Sequence, residues 1–504
     1  ALAPIPAVLA AILSTDGTTL SWPGVLAINL ALDQPGALLL GASALLWSVA
    51  GFCAPALLGE RPGKGSFAAW WLLTLSGSMG VFLAADIFSF YLFFTVVSLA
   101  AYGLVAHEGH AQAKAAAKVY FAASLLGEAS LLFGLVMLAA AAPSLLIADA
   151  VQAINASPWR DAAICCLILG FGLKMGLVPL HFWLPIAHPA APAPASAVLS
   201  GAIIKAGVIG LIRFLPVGET PVGWGEALVA VGFLTAFWGV ALGITQRNPK
   251  AVLAYSSVSQ MGLVAAVFGM GIVGAAASMP AVVAYYALHH VLAKGALFLA
   301  VGILAAYGGA ARYLLLPAAV IALGFGGLPL TGGALAKYAI KPELGYGWAG
   351  MLGSASAAGS TLLMLHFLRL LATIRKPAEA PKSMASVMIA WFAIAISAVA
   401  IPWILFEPVT GFRLADALTM DAWWKAIWPM AIGAALAAAI FLSRLQLPAV
   451  PPGDVLGVME RVLAPAGAGL ARAIDHLESR TREWPVAGML LVLIAVSLAV
   501  VMST

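Results

Sequence analysis

Charge is what this sequence has least of. Only 9% of its 504 residues are Asp, Glu, Lys or Arg, against about 25% in soluble domains, which excludes an ordinary globular enzyme. Cysteine is nearly as scarce: Cys53, Cys165 and Cys166 all lie in apolar runs, with no Cys-x-x-Cys spacing. A disulfide framework, an iron–sulfur ligand set and a zinc site are therefore not expected. No Walker sequence occurs, and no nucleotide, cofactor, metal or resident redox centre is expected. The excess of 25 Lys+Arg over 20 Asp+Glu reads as basic cytoplasmic loops rather than nucleic-acid binding.

What remains is apolar. Hydrophobic residues make up 63% of the chain, and the mean hydropathy is +1.03. A spanning helix needs about 20 apolar residues, so an all-α polytopic membrane protein with about 14–16 transmembrane helices is expected. Apolar runs lie near 36–57, 67–84, 86–106, 117–141, 161–181, 195–215, 224–245, 251–274, 280–306, 312–343, 347–373, 384–406, 424–443 and 485–502. Residues 1–13 lack a basic n-region and a cleavage site and read as the end of a first span, not a signal peptide. The chain does not open with Met, so an upstream extension is expected. Basic residues concentrate in alternate loops: Arg61 and Lys64, Lys114 and Lys118, Arg247 and Lys250, then Arg375, Lys376 and Lys382. The positive-inside tendency assigns these loops to the cytoplasm of a multi-pass inner-membrane protein of bacterial type. The polar stretch 451–484 has apolar residues at three- and four-residue spacing, broken near Pro465. It reads either as a solvated linker or as an amphipathic surface strut against a neighbouring subunit.

Two apolar runs carry the same interruption, Gly176-Leu-Val-Pro-Leu180 and Gly327-Leu-Pro-Leu330, each with lysine in its span: Lys174, then Lys337 and Lys341. Paired broken helices in corresponding halves are the sequence sign of a transporter built from repeats. Freed backbone groups at membrane depth are tolerated only where they line protein or water.

Ionisable residues inside these runs are the strongest signal. Lys174, Lys205, Lys294 and Lys337 each cost about 2.5–3.5 kcal/mol at a helix centre on insertion scales. Glu128 is the carboxylate placed near mid-membrane. His289 and His290 precede Lys294, and His290 to Lys294 is an i,i+4 pair; His366 and Arg369 pair at i,i+3. Snorkelling explains any one such residue and is the reading for Arg213 and Arg375 near span ends. Four central lysines and a histidine pair instead suit lateral proton transfer, because burial brings lysine into the titrating range where histidine already lies. Cation binding alone would call for more carboxylates.

The residues that carry this pattern resemble a known family. They are Phe171-Gly-Leu-Lys-Met-Gly-Leu-Val-Pro-Leu-His-Phe-Trp-Leu-Pro185, Ala187-His-Pro-Ala-Ala-Pro192 with Ser196, Ser200-Gly-Ala-Ile-Ile-Lys-Ala-Gly207 through Arg213, Ala254-Tyr-Ser-Ser-Val-Ser-Gln-Met-Gly262, His290 with Lys294, and Gly327 to Lys337. The chain is similar to the antiporter-like membrane subunits of respiratory complex I (NADH-quinone oxidoreductase), group 4 hydrogenases and Mrp-type multisubunit cation/proton antiporters. The stretch from His188 to Ser196 is similar to hydrogenase-4 component B in particular. The resemblance covers roughly residues 30 to 410.

It implies two inverted five-helix repeats, each with a broken helix, and a proton path along the membrane plane. The organisation would be N-terminal helices at 1–115, repeat halves at 116–250 and 251–410, and C-terminal helices at 411–504. Lys174 would load protons, Lys205 would bridge, His290 and Lys294 would relay, and Lys337 would release. His289, Thr95, His181, Lys341, His366 and Arg369 are further candidates. Three departures from the family stand out: Phe93-Phe94 is followed by Thr95 where the family has glutamate, Pro185 by Ile186 where it has aspartate, and Asp-x-Lys-Arg is Asn248-Pro249-Lys250-Ala251. Glu128 would supply the missing carboxylate and pair with Lys174, leaving the Thr95 hydroxyl to hold water or bond its own helix.

The expected function is a proton-translocating, non-redox subunit of an ion-translocating oxidoreductase or related complex. The expected partners are other membrane subunits, the lipid bilayer, and protons with sodium as the alternative ion. The competing readings are a cation/proton antiporter or cation-coupled inorganic carbon uptake subunit, and a scaffold that lost pumping with the Phe-Phe-Glu carboxylate.

Overall fold

The computed structural model describes residues 1–14, 17–22, 27–59, 63–374, 384–443, 447–448 and 450–457. The chain divides into Ala1–Pro452 and a C-terminal unit, Gly453–Thr504. Most of the expected amphipathic stretch at 451–484, the run at 485–502, and Arg61, Arg375, Lys376 and Lys382 lie outside the described residues.

The first unit is almost wholly helical. Its helices are α1 (Ile5–Leu13), α2 (Gln34–Leu58), α3 (Lys64–Leu83), α4 (Ile87–Ala106), α5 (Ala111–Ala141), α6 (Ile147–Ile154), α7 (Arg160–Met175), α8 (Trp183–Ala190), α9 (Ala193–Val198) and α10 (Lys205–Phe214). They continue as α11 (Val222–Gly243), α12 (Pro249–Val273), α13 (Met279–Tyr307), α14 (Leu315–Gly324), α15 (Gly332–Leu344), α16 (Trp348–Ala372), α17 (Met384–Thr410), α18 (Leu414–Ala417) and α19 (Met420–Leu442). One hairpin, β1 (Thr18–Trp22) with β2 (Ile28–Leu32), joins α1 to α2 and was not anticipated. Residues 1–13 hold a nine-residue helix that lies along α2, with Ala11 facing Gly41. At about 1.5 Å per residue it covers roughly half of a hydrocarbon core.

Twelve helical stretches among the described residues are long and apolar enough to cross a membrane, fewer than the fourteen runs read from the sequence. The runs at 280–306 and 312–343 account for part of the difference. Helix α13 continues through a 3-10 turn at Gly308–Leu314 into α14, so Met279–Gly324 counts once, and the 13-residue α15 beyond the break is too short to count. The run at 485–502 lies outside the described residues.

Contacts at the helix ends sort the loops into two faces. On one, Leu30 bridges to Ala84, Asp86 bridges to Leu146, Trp224 Nε1 donates to Asp161, and Ser278 Oγ donates to Glu343. On the other, the Phe67 and His107 rings meet at 4.7 Å, Lys250 Nζ donates to the Ala191 carbonyl, and His366 bonds the Gln246 carbonyl. The second face carries Lys64, Lys114, Arg247 and Lys250 beside Glu108; the first carries Asp149, Asp161, Glu219, Glu226, Glu343, Asp416 and Asp421 beside Arg160, Arg413 and Lys425. Lys64, Lys114, Arg247 and Lys250, from three of the four basic loops read from the sequence, thus share one face.

Helix α12 and the α9–α10 stretch are buried along their whole apolar length, and α13 runs through the centre against α2, α17, α12 and α15. Helices α11 and α12 approach so closely that backbone touches backbone. A Cβ added at Gly232 would stand 2.4 Å from the Ala266 nitrogen, and one at Gly262 would stand 2.5 Å from the Ala236 nitrogen. Gly225, Gly232 and Gly239 recur at heptad spacing on α11, as Gly262 and Gly269 do on α12. Small residues are how membrane helices gain contact where lipid removes the hydrophobic drive between them.

Candidate functional site

Both expected breaks are present, and they share one hydrogen-bond pattern. After α7, Gly176 adopts a left-handed conformation, its N–H donates to the Leu173 carbonyl, and Leu177 N–H donates to the Gly172 carbonyl. After α14, Gly327 takes positive φ, its N–H donates to the Gly324 carbonyl, and Leu328 N–H donates to the Leu323 carbonyl. Each is a Schellman turn that satisfies carbonyls which a helix end would leave bare. The lysines sit on opposite sides of the two turns: Lys174 in the last turn of α7, Lys337 on α15 after the second. Lys337 lies against that second turn, since a Cβ at Gly327 would come 3.3 Å from its Cδ.

Glu128, Lys174, Lys205, His289, His290, Lys294 and Lys337 are all buried. On α4, Thr95 Oγ1 donates to Glu128 Oε2 at 2.5 Å, so the hydroxyl neither closes on its own helix nor waits for water. One turn later Ser98 accepts from Lys174 Nζ at 2.5 Å and its hydroxyl donates to the Phe94 carbonyl at 2.7 Å. Lys174 also lies 5.2 Å from the Phe94 ring centroid, a cation–π distance. The expected Glu128–Lys174 pair is thus an indirect one. Carboxylate and ammonium are each held by a separate hydroxyl of α4. Glu128 Oε1 has no hydrogen-bond partner among the described residues.

A second cluster joins α10, α12 and α13. A five-residue π-helical segment, Leu199–Ile203, precedes Lys205 and loosens the carbonyl ladder there, a deformation common at functional sites. Lys205 Nζ takes the Ser200 carbonyl at 3.2 Å and lies 2.5 Å from His290 Nδ1. Ser200 Oγ meets Ser257 Oγ at 2.7 Å, Ser257 donates to the Leu253 carbonyl at 3.0 Å, and Lys294 Nζ donates to the same carbonyl at 3.0 Å. Phe325, at the second break, gathers the α13 side chains: Lys294 Nζ at 4.9 Å, with the His289 and His290 rings at 5.4 and 5.7 Å. His289 and His290 thus flank one ring, though only His290 reaches Lys205. His289 on α13 and Lys337 on α15 belong to helices that pack together, and Lys341 is one turn beyond Lys337. Among the described residues no hydrogen bond joins Lys174 to Lys205; α7 and α10 instead pack tightly, with Gly207 against the Phe171 carbonyl.

The remaining candidates separate from this row. His181 is buried with its ring 6.2 Å from Tyr255. His366 Nε2 bonds the Gln246 carbonyl at 2.8 Å, and Arg369 stacks 4.7 Å from Phe441, so this pair ties α16 to the turn after α11 and to α19. Arg213 does not snorkel to water. Its guanidinium pairs with Asp33 at 2.9 Å and donates to the Val81, Phe82 and Ala84 carbonyls, closing the C-terminal end of α3. Cations suit helix C-termini. Polar residues that the sequence reading passed over are Ser98, Ser200 and Ser257, and the Tyr286–Gln260–Ser360 chain linking α13, α12 and α16. Gln260 and the serines at 256–259 fall inside the quoted Ala254–Gly262 motif, which was the signal available for them.

Residues 84–365, more than half of the chain, match the family model described as NADH:quinone oxidoreductase/Mrp antiporter, TM. The chain belongs to this family. Among curated relatives it is 30% identical to hydrogenase-4 component B of Escherichia coli K12 over 289 residues, 55% of this chain and 43% of that one. It is 33% identical to NADH-quinone oxidoreductase subunit N of Desulforudis audaxviator, over 56% of this chain and 57% of that one. The chain spans about half the length of these relatives. In fold it is similar to a chain of the Mrp complex from Dietzia, with TM-score 0.77 and 22% identity over 99% of this chain and 59% of that one. It is similar also to a chain of the membrane-bound sulfane sulfur reductase, an archaeal respiratory membrane complex, with TM-score 0.70 and 20% identity over 86% and 91%. The protein is thus a multi-pass, antiporter-like membrane protein.

Proposed function

We propose that this chain translocates protons as one subunit of a hetero-oligomeric membrane complex, moving them laterally along Glu128, Lys174, Lys205, His290, Lys294 and Lys337. The observation that carries the reading is the 2.5 Å contact between Lys205 Nζ and His290 Nδ1. Two buried bases from different helices share one site there, so they hold a proton between them and exchange it without water. Two like-charged groups at that distance cannot both be protonated at low cost. A shift of α10 against α13 therefore changes proton affinity, which is how a partner subunit would drive the cycle.

The row favours protons over sodium, because Glu128 is its one carboxylate and every other member is a nitrogen base. The Thr95–Glu128 bond speaks against a scaffold that merely lost its acid, since a carboxylate still faces the hydroxyl at the position of loss. The repeated Schellman turns support a two-repeat architecture with the halves at 116–250 and 251–410. The lysine-bearing face is cytoplasmic in this reading, and the membrane is a bacterial inner membrane. Names such as hydrogenase-4 component B and NADH-quinone oxidoreductase subunit N support partners that supply the driving reaction.

The test is proton uptake in inverted membrane vesicles that contain the intact complex. Lys205→Ala should lower coupled uptake about tenfold or more at unchanged abundance. Uptake at the wild-type rate in that variant would overturn the reading.

A further inference from the structure

Gly201 and Gly295 meet across a single side chain. Gly201 lies in the π-helical segment and Gly295 on α13, and neither takes positive φ, so backbone freedom does not account for them. The space they leave does. A Cβ added at Gly201 would overlap Leu46 Cδ2 and stand 3.1 Å from the Val291 carbonyl oxygen. One added at Gly295 would overlap Leu46 Cδ1 and stand 3.1 Å from Cδ2. Glycine inside a helix is unfavourable unless something must approach closely. Here the forked end of one fully buried leucine on α2 does so, with one methyl in each notch.

The two notches lie beside buried bases. Ser200, which precedes Gly201, offers its carbonyl to Lys205 Nζ at 3.2 Å. Val291 follows His290, and Gly295 follows Lys294. The 2.5 Å contact between Lys205 and His290 therefore joins the same two stretches of chain that Leu46 holds apart. Helix α2 carries no charged side chain from Gln34 to Leu58, nor do α1, α9 and the π-helical segment packed on it. Of its other neighbours, α3 and α17 bring charge only near their ends, at Lys64 and Glu407. Helix α10 brings Lys205 and Arg213, and α13 brings His289, His290 and Lys294.

We propose that Leu46 is a positioning residue for the Lys205–His290 site: its forked side chain sets the spacing between the π-helical segment and α13 at which the two bases share a proton. This rests on the proton-translocating reading above. Leucine suits the task because its fork lies at Cγ, whereas valine branches at Cβ and falls short of the notches. A close-packed interior answers a lost methyl with a shift of its walls or a void, and here the walls carry the bases.

In vesicles that bear the intact complex, Leu46→Ala should lower proton uptake about tenfold at unchanged abundance. The alkaline limb of its pH–rate profile should also move up by about half a unit, because bases held further apart repel each other less when both are charged. Leu46→Met, close in volume, should keep about half of the wild-type rate or more, with the wild-type profile. Gly295→Ala should be impaired by itself, since its new methyl meets Leu46. Joined with Leu46→Ala, that methyl refills part of the vacated space and should recover uptake and bring the profile back toward wild type. A wild-type rate for Leu46→Ala would overturn the proposal. So would a lowered rate with an unmoved profile, which leaves the leucine a packing role only, or a double variant no better than Leu46→Ala. Should Leu46→Ala fail to accumulate, Leu46→Val is read in its place on the same rate and profile. Lys205→Ala, measured alongside, keeps the two ideas apart. If it leaves uptake intact, the underlying reading has failed; if it abolishes uptake while Leu46→Ala does not, that reading stands and the positioning role falls.

Discussion

Thr95 and Ser98 stand one turn apart on α4, and each holds one member of a buried acid–base pair: Thr95 donates to Glu128, Ser98 accepts from Lys174. The two charges are therefore set by the geometry of a single helix face. Rotating or sliding α4 would alter both bonds together.

Thr95→Val keeps the side-chain shape and removes the donor, leaving Glu128 with no hydrogen bond at either oxygen. Coupled proton uptake should fall about tenfold, and Thr95→Ser should restore most of it. Initial rates in vesicles check this, and a normal rate for Thr95→Val would refute the role given to the hydroxyl.

Glu128→Gln should impair uptake about as severely as Lys174→Ala. Because both act in one unit, the double variant should be no worse than either single. Additive losses would show that the two residues work independently. Thr95→Glu placed on Glu128→Gln returns a carboxylate to the opposite end of the same bond and should recover part of the activity.

Lys205→Ala and His290→Ala remove opposite ends of one contact and should likewise be non-additive. His366→Ala, whose ring bonds the Gln246 carbonyl away from the row, should leave turnover near normal and lower thermal stability instead. A transport defect in His366→Ala comparable to that of His290→Ala would redraw the path.

Arg213→Leu should lower stability without a specific transport defect, by an amount on the order of 3 kcal/mol for three carbonyls and Asp33 left unpaired. A shift in the thermal midpoint of the purified complex is the measurement. An unchanged midpoint would mean that water replaces the guanidinium.

The spanning helices, both helix breaks and the buried lysines were legible in the sequence, because lipid leaves few alternatives to an apolar run and makes each charge conspicuous. What stayed hidden were relations across helices. Arg213 near a span end looks like a snorkelling residue until α3 is seen to end beside it. Thr95 looks like a loss until α5 brings Glu128 to the same height. Serines such as Ser98 and Ser257 carry no signal of their own, since a hydroxyl in a membrane helix can always bond its own backbone. The hairpin before α2 was masked by its apolar composition.

The glycine seam between α11 and α12 bears on how such a protein is made. Its two helices follow one another directly in the chain, and their contact consists of backbone and small residues rather than of buried lysines awaiting partners. That hairpin can assemble as soon as its second helix leaves the insertion machinery, before the bases of α13 arrive. A newly made chain thus has a settled wall against which its costly cationic helices can be received. Glycine-to-leucine changes along that wall would register first as failed biogenesis, in chains degraded before any proton has moved.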